Sequence, residues 1–266
     1  MFTPRELALE RGWPGRIEGE TVIQLASQTL QSFFTGGGSA REHAEYALAD
    51  VELLPPVLHP PAVRDFMAFE EHVANARRQR GSEVPKEWYE IPVFYFSNPA
   101  AIYGTNAVIP CPAETQELDY ELECAAVIGA GGAIGGFTVM NDWSARDVQR
   151  REMKVGLGPA KGKDFATSFG PVLVTPDEFD GSSGTMIARV NGEERSRGDL
   201  GSMYHPWEAL MAQAARSTVL RPGDIIGSGT VGGGCILEHG DGRWLQHGDV
   251  VELEIEGIGV LRNTVA

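Results

Sequence analysis

The stretch Leu118-Asp-Tyr-Glu-Leu-Glu-Cys-Ala-Ala-Val-Ile128 constrains the fold more than any other part of the chain. Its first half alternates. Leu118, Tyr120, Leu122 and Cys124 fall on one side of an extended backbone, and Asp119, Glu121, Glu123 and Ala125 fall on the other. From Cys124 to Ile128 every residue is apolar, which implies a buried strand. Glu121 and Glu123 then stand as same-face neighbours at its edge, about 7 Å apart at the backbone from the strand rise. Two carboxylates so placed repel one another and lose hydration, and a divalent cation relieves both penalties. A solvated strand face is the alternative reading.

The following strand, residues 137–141, ends at Asp142, and a short Gly-rich connection could bring Asp142 beside the two glutamates. That connection reads as a turn; it lacks the following helix that a phosphate-binding loop requires. Further strands are expected at 93–96, 107–109, 171–174, 186–190, 225–226, 236–239 and 250–255, with Asn191-Gly192 as a hairpin turn. Phe66, Phe69 and Val73 suggest a helix over 63–78, which would set Asp65 and His72 on one face. A second helix is expected over 204–216. The polar segment 77–86, with Arg77, Arg78 and Arg80, reads as an exposed, mobile loop, and residues 77–88 as a lid that brings His72 over the metal when substrate binds. With 33 glycines and 16 prolines, the chain is expected to be mainly β with some α, an α+β protein.

Residues 1–58 form a lead-in segment ahead of a main domain over 59–266. Thr3-Pro4 is expected to start a short helix over 6–10, and Ser39 to cap another over 40–49. Pro55-Pro56 and Pro60-Pro61 bracket an extended connector. A formal net charge of −15 argues against nucleic acid or an anionic membrane as partner. Three widely spaced cysteines suit a reducing compartment rather than a disulfide framework. No signal-peptide pattern and no long apolar run is seen, so a cytoplasmic protein is expected.

Asn141-Asp-Trp-Ser-Ala-Arg-Asp147, preceded by Leu118-Asp-x-Glu-x-Glu123, resembles the core signature of the fumarylacetoacetate hydrolase family. Arg64-Asp65 with His72, Leu157-Gly-Pro-x-x-Gly-Lys163, Leu220-Arg-Pro-Gly-Asp224 and Gly227-Ser-Gly-Thr-Val231 with Glu238 extend the likeness, in order, across the main domain. The resemblance implies a mixed β-sandwich roll, usually a homodimer, with metal ligands Asp65, Glu121, Glu123 and Asp142. It makes His72 and Glu238 a general-base pair, and places Lys163, Tyr95, Arg146, Gln149 and Thr230 around the substrate or its oxyanion. The best-known eukaryotic members carry a larger N-terminal domain than residues 1–58 allow. Shorter members tend to place His and Glu three apart on a lid helix, where this chain has His72 and Asn75.

An all-oxygen set suits Mg²⁺, Mn²⁺ or Ca²⁺ and suits Zn²⁺ poorly. Arg146 and Lys163 would offset its surplus negative charge and attract a small anionic dicarbonyl substrate. The first expectation is a hydrolase that cleaves a carbon–carbon bond in a 3,5-diketo acid or acylpyruvate, in aromatic-compound breakdown. The alternative within the family is a decarboxylase, isomerase or hydratase acting on a 2-oxo acid such as oxaloacetate or on a 2-hydroxy-dienoate. A non-catalytic binding protein is the reading from a different class, and loss of a ligand or of the base pair would favour it.

Overall fold

The computed structural model describes residues 1–79 and 81–266; Arg80, one of the three arginines of the expected lid, lies outside them. Its centre is the antiparallel pair Leu122–Ile128 and Ile134–Asp142, joined through a helical turn at Ala130–Gly132. The expected turn is therefore present. The pair belongs to a seven-stranded sheet. Ile225–Gly227, Val63–Phe66 and Phe94–Ser97 continue it on one side, and Thr167–Val174 and Ile102–Tyr103 on the other.

Leu122, Cys124, Ala126 and Ile128 join one core cluster with Met186, Ala188, Leu253 and Leu261 of a second, five-stranded sheet. Ala125, Val127 and Met140 join another cluster with Val57, Val63 and Phe34, the last from the helix Leu30–Thr35. The uniformly apolar stretch is thus covered on both faces, as its composition demands. In the five-stranded sheet, Thr185–Val190 and Glu193–Asp199 form the expected hairpin. Asn191 and Gly192 both have positive φ (53° and 81°), which a type I′ turn requires. The architecture is the expected mixed α+β one, mostly strands with curled sheets.

Several local expectations change. Asp65 lies in the strand Val63–Phe66, parallel to Ile225–Gly227 and antiparallel to Phe94–Ser97, and helix begins only at Glu70. Phe66, Phe69 and Val73 are all buried, but across a strand, a connection and a helix, so their helical spacing is accidental. No helix covers residues 6–10. Phe2–Pro4 is a strand paired with Val51–Leu53, because pairing buries Phe2 and Val51 together. The segment expected as a helix over 40–49 holds the strand Glu42–Ala47, paired with Thr21–Leu25. Ile236–His239 is one helical turn instead of a strand. The later helix is Trp207–Ala215, with Pro206 extended as its N-cap. Helix Glu70–Gln79 reaches into the expected lid, and Lys86–Glu90 is also helical. Among the described residues no helix is long and apolar enough to cross a membrane.

Candidate active site

Register explains how carboxylates distant in sequence meet. Leu122 pairs with Asn141, so Glu123 lies opposite Met140, with Asp142 two residues further along the same face. Glu121 precedes the strand, and its backbone N–H donates to Asn141 Oδ1 at 2.9 Å. Gly227 pairs with both Ala125 and Asp65, which carries Asp65 across to that face. A Cβ on Gly227 would overlap Asp65 Oδ1, so this glycine makes room for the carboxylate to lean inward. One oxygen from each of Asp65, Glu121, Glu123 and Asp142 lies within 4.8 Å of the others, and all four residues are buried.

Cations and hydroxyls surround part of this cluster. Lys163 Nζ donates to Glu121 at 2.5 Å and to Asp142 at 2.6 Å. Arg146 donates through Nη2 to Glu121 at 2.7 Å and through Nε to Asp119 at 2.8 Å. The Tyr95 hydroxyl donates to Asp142 at 2.7 Å, and that of Thr230 to Glu123 at 3.2 Å. Gln149 Oε1 accepts weakly from Arg146 at 3.3 Å. Tyr95, Lys163, Arg146 and Gln149 are thus linked with Glu121 and Asp142 in one hydrogen-bonded network, while Thr230 bonds Glu123 separately and Asp65 stands beside them in the carboxylate cluster.

Compensation is incomplete. Asp65 Oδ1, Glu123 Oε2 and Asp142 Oδ1 are buried and have no hydrogen-bond partner. Burial, then the charge of Asp142, drives the Asp65 carboxyl well above the ordinary range. Burial, then Asp65 and Glu121, does the same to Glu123. Glu121 goes the other way: Lys163 and Arg146 together outweigh its burial and hold its carboxyl low. Orphaned oxygens from three strands, with mutually repelling charges and no nitrogen or sulfur donor, fit a hard divalent cation. Asp65, Glu121, Glu123 and Asp142 would hold it.

His72 sits on the helix Glu70–Gln79, which follows closely after the Asp65 strand. Its Nδ1 lies 2.7 Å from Glu238 Oε1. Asn75 Nδ2 and the Gly233 N–H both donate to Glu238 Oε2 at 2.9 Å. Burial would raise the Glu238 carboxyl, but the His72 hydrogen bond and charge, with help from Asn75 and Gly233, keep it below its ordinary value. His72 is near enough to help lower the Glu121 carboxyl. A cavity of about 210 Å³ is lined by Ala76 and Gln79 of the His72 helix, by Leu237, the chain neighbour of Glu238, and by Arg146, Gln149 and Arg150. Its lining joins the helix bearing His72 to the arginines.

Three contributors escaped the sequence reading of roles. Asp119 is fully buried; it accepts from Arg146 and from the N–H groups of Ile236 and Leu237 at 2.7 and 3.1 Å. It thereby ties the guanidinium to the helical turn that carries Glu238. Asn75, noticed only as the residue standing where some relatives have Glu, anchors the Glu238 carboxylate instead. The thiol of Cys235 donates to Glu238 Oε1 at 3.4 Å. Burial, then the Asp119 charge, keeps that thiol protonated well above its ordinary range. Only Asp119 had a visible sign, its place on the same strand face as Glu121.

Comparison with known proteins identifies the family. The family model described as fumarylacetoacetate (FAA) hydrolase C-terminal matches residues 62–266. The mitochondrial oxaloacetate tautomerase FAHD2A of Bos taurus is 35% identical over 283 residues, covering 97% of this chain and 87% of that protein. The solved fumarylacetoacetate hydrolase of Exiguobacterium antarcticum superposes with a TM-score of 0.79 at 29% identity, covering 94% of each chain. The 5-carboxymethyl-2-hydroxymuconate delta-isomerase of Mycobacterium smegmatis does so with a TM-score of 0.75 at 29% identity, covering 96% of this chain and 94% of that one. The four buried carboxylates, the His72–Glu238 pair and these likenesses converge: the chain is an enzyme of the fumarylacetoacetate hydrolase family.

Proposed function

We propose that the enzyme is a divalent-cation-dependent keto–enol tautomerase of a small 2-oxo dicarboxylate of the oxaloacetate class. The observation that carries this reading is the match, along nearly the whole chain, to a relative named for that activity. Tautomerisation moves one proton between carbon and oxygen and consumes no water, so it needs one well-placed proton carrier. Glu238 engages His72 Nδ1 and fixes the ring, leaving Nε2 to take the proton from the carbon beside the oxo group. Glu238 also stabilises the imidazolium formed by that transfer. A cation held by the four carboxylates would supply Lewis acidity toward the oxo group. Arg146, Gln149 and Arg150, which line the cavity, offer donors for the substrate carboxylates. Lys163 and Tyr95, both on Asp142, keep positive charge and a hydroxyl beside the carboxylates.

Carbon–carbon hydrolysis, the first expectation from sequence, becomes the second reading; the likeness to the Exiguobacterium hydrolase favours it. The two readings part on water. A hydrolase would use the same His72 nitrogen to deprotonate water and would release two products. With Mg²⁺ or Mn²⁺ present, loss of enol absorbance from oxaloacetate is expected to accelerate. His72→Ala is expected to slow it by about 100-fold or more, with cation binding retained. Faster cleavage of an acylpyruvate than interconversion of oxaloacetate would overturn the tautomerase in favour of the hydrolase.

A further inference from the structure

The four-carboxylate set is not the only place where ligand atoms converge. His72, Cys235 and Glu238 each offer one donor atom, all within 4.8 Å of one another. Glu238 Oε1 lies 2.7 Å from His72 Nδ1 and 3.4 Å from Cys235 Sγ. Asn75 and the Gly233 N–H secure the other carboxylate oxygen, so Oε1 is held toward the nitrogen and the sulfur. Tetrahedral zinc with nitrogen and sulfur ligands needs donor atoms about 3.5 Å apart, from bonds of about 2.0–2.3 Å. The cluster meets that spacing after small side-chain shifts. The 210 Å³ cavity runs along the two helical segments that carry His72 and Glu238, through Ala76, Gln79 and Leu237.

We propose that His72 Nδ1, Cys235 Sγ and Glu238 Oε1 form a second cation site, selective for Zn²⁺ over hard cations, whose occupation switches the enzyme off. One nitrogen, one sulfur and one oxygen make a borderline-soft set, unlike the all-oxygen set beside it. Binding releases the Cys235 thiol proton to solvent, and the imidazole proton passes from Nδ1 to Nε2. Water completes the fourth position. With Nδ1 on the metal and Nε2 protonated, His72 can no longer accept a proton from substrate or water. Inhibition therefore follows whichever proton transfer His72 serves.

The test uses the full chain in a Cys111→Ser background, because Cys111 is exposed and would bind metal adventitiously. Mg²⁺ is kept in excess to hold the carboxylate set, and Co²⁺ serves as a spectroscopic probe. Co²⁺ is expected to give a thiolate-to-metal charge-transfer band that saturates at one ion per chain and is bleached by Zn²⁺. Cys235→Ser, with Cys235→Ala as a second variant should the first fold poorly, is expected to lack the band. Whatever Mg²⁺-supported turnover each variant shows without Zn²⁺, its half-inhibition is expected to need about tenfold more Zn²⁺ than that of the parent. Absence of the band in the parent, or its persistence in both variants, overturns the site. Equal Zn²⁺ sensitivity of parent and variants also overturns it, by placing inhibition at the four carboxylates. The spectral titration decides the question even if oxaloacetate is not turned over.

Discussion

Asp65 has a buried oxygen without a partner, and its carboxyl is driven upward by burial and by the charge of Asp142. Glu123 is in the same state. Without a bound cation, both bind a proton more tightly folded than unfolded. The stability they contribute is fully present below their unfolded pKa of about 4, and it is lost as pH rises toward their raised folded values. Glu121 and Glu238 act in the opposite sense, since their folded pKa values are lowered; their contribution is present above about pH 4 and is lost as pH falls. A cation should abolish the first effect by favouring the ionised forms. The Tm of metal-free protein is therefore expected to fall, relative to protein saturated with Mg²⁺, as pH rises above about 4. Asp65→Asn is expected to flatten that difference and weaken Mg²⁺ binding by about tenfold or more. Thermal scans at several pH values, with and without Mg²⁺, check both; an undiminished Mg²⁺ shift in the variant would rule out Asp65 as a ligand. Glu121 and Glu123 were legible because strand alternation puts them on one face. Asp119 showed only its strand face, and Gly227 and Cys235 showed no role, since Arg146, Asp65 and His72 reach these three from segments more than 25 residues away.

At the scale of elements, the sequence revealed strands best where burial imposed alternation or an apolar run. It failed where pairing alone decides. Val63–Phe66 is short, and its extended state depends on the strands Ile225–Gly227 and Phe94–Ser97 that flank it. Glu42–Ala47 is largely exposed and is held as a strand by Thr21–Leu25. The expected lid presents another difference: its far end is anchored. Trp88 is 3% exposed, donates through Nε1 to the Met67 carbonyl at 2.9 Å, and packs against Tyr89, Tyr204 and His205. Tyr89 in turn donates to Glu70 at 2.6 Å, in the first turn of the helix bearing His72. This aromatic clasp fixes the start of that helix while the Glu238 contact fixes His72. Trp88→Ala is expected to cost about 3–5 kcal/mol of stability. Below its unfolding temperature it should lower kcat and leave Mg²⁺ affinity unchanged, because Trp88 and Tyr89 hydrogen-bond to Met67 and Glu70 and to none of the four carboxylates. Denaturant titration beside calorimetric Mg²⁺ binding separates the two effects; a matching loss of cation affinity would show that the clasp also supports the metal site.

The whole molecule opposes the substrate proposed for it. With a formal charge of −15, its long-range field attracts a dication and repels a dicarboxylate. Arg146 and Lys163 act only at short range, inside a site where carboxylates outnumber them. Arg150 faces the cavity but is paired with Glu117 at 2.6 Å. Salt screens charges beyond about 10 Å at 0.1 M ionic strength, and it screens buried pairs far less. Raising ionic strength should therefore weaken the repulsion met on approach and leave the contacts inside the site largely intact. For a dianionic oxo acid, kcat/KM is expected to rise several-fold between about 0.01 and 0.15 M salt, provided Mg²⁺ stays saturating. Mg²⁺ affinity should move in the opposite direction over the same range, because the field that hinders substrate helps the cation. Measuring both on one preparation makes the comparison internal. If kcat/KM fell with salt instead, capture would be governed by Arg146, Gln149 and Arg150 at the cavity, and the net charge would have no bearing on substrate entry.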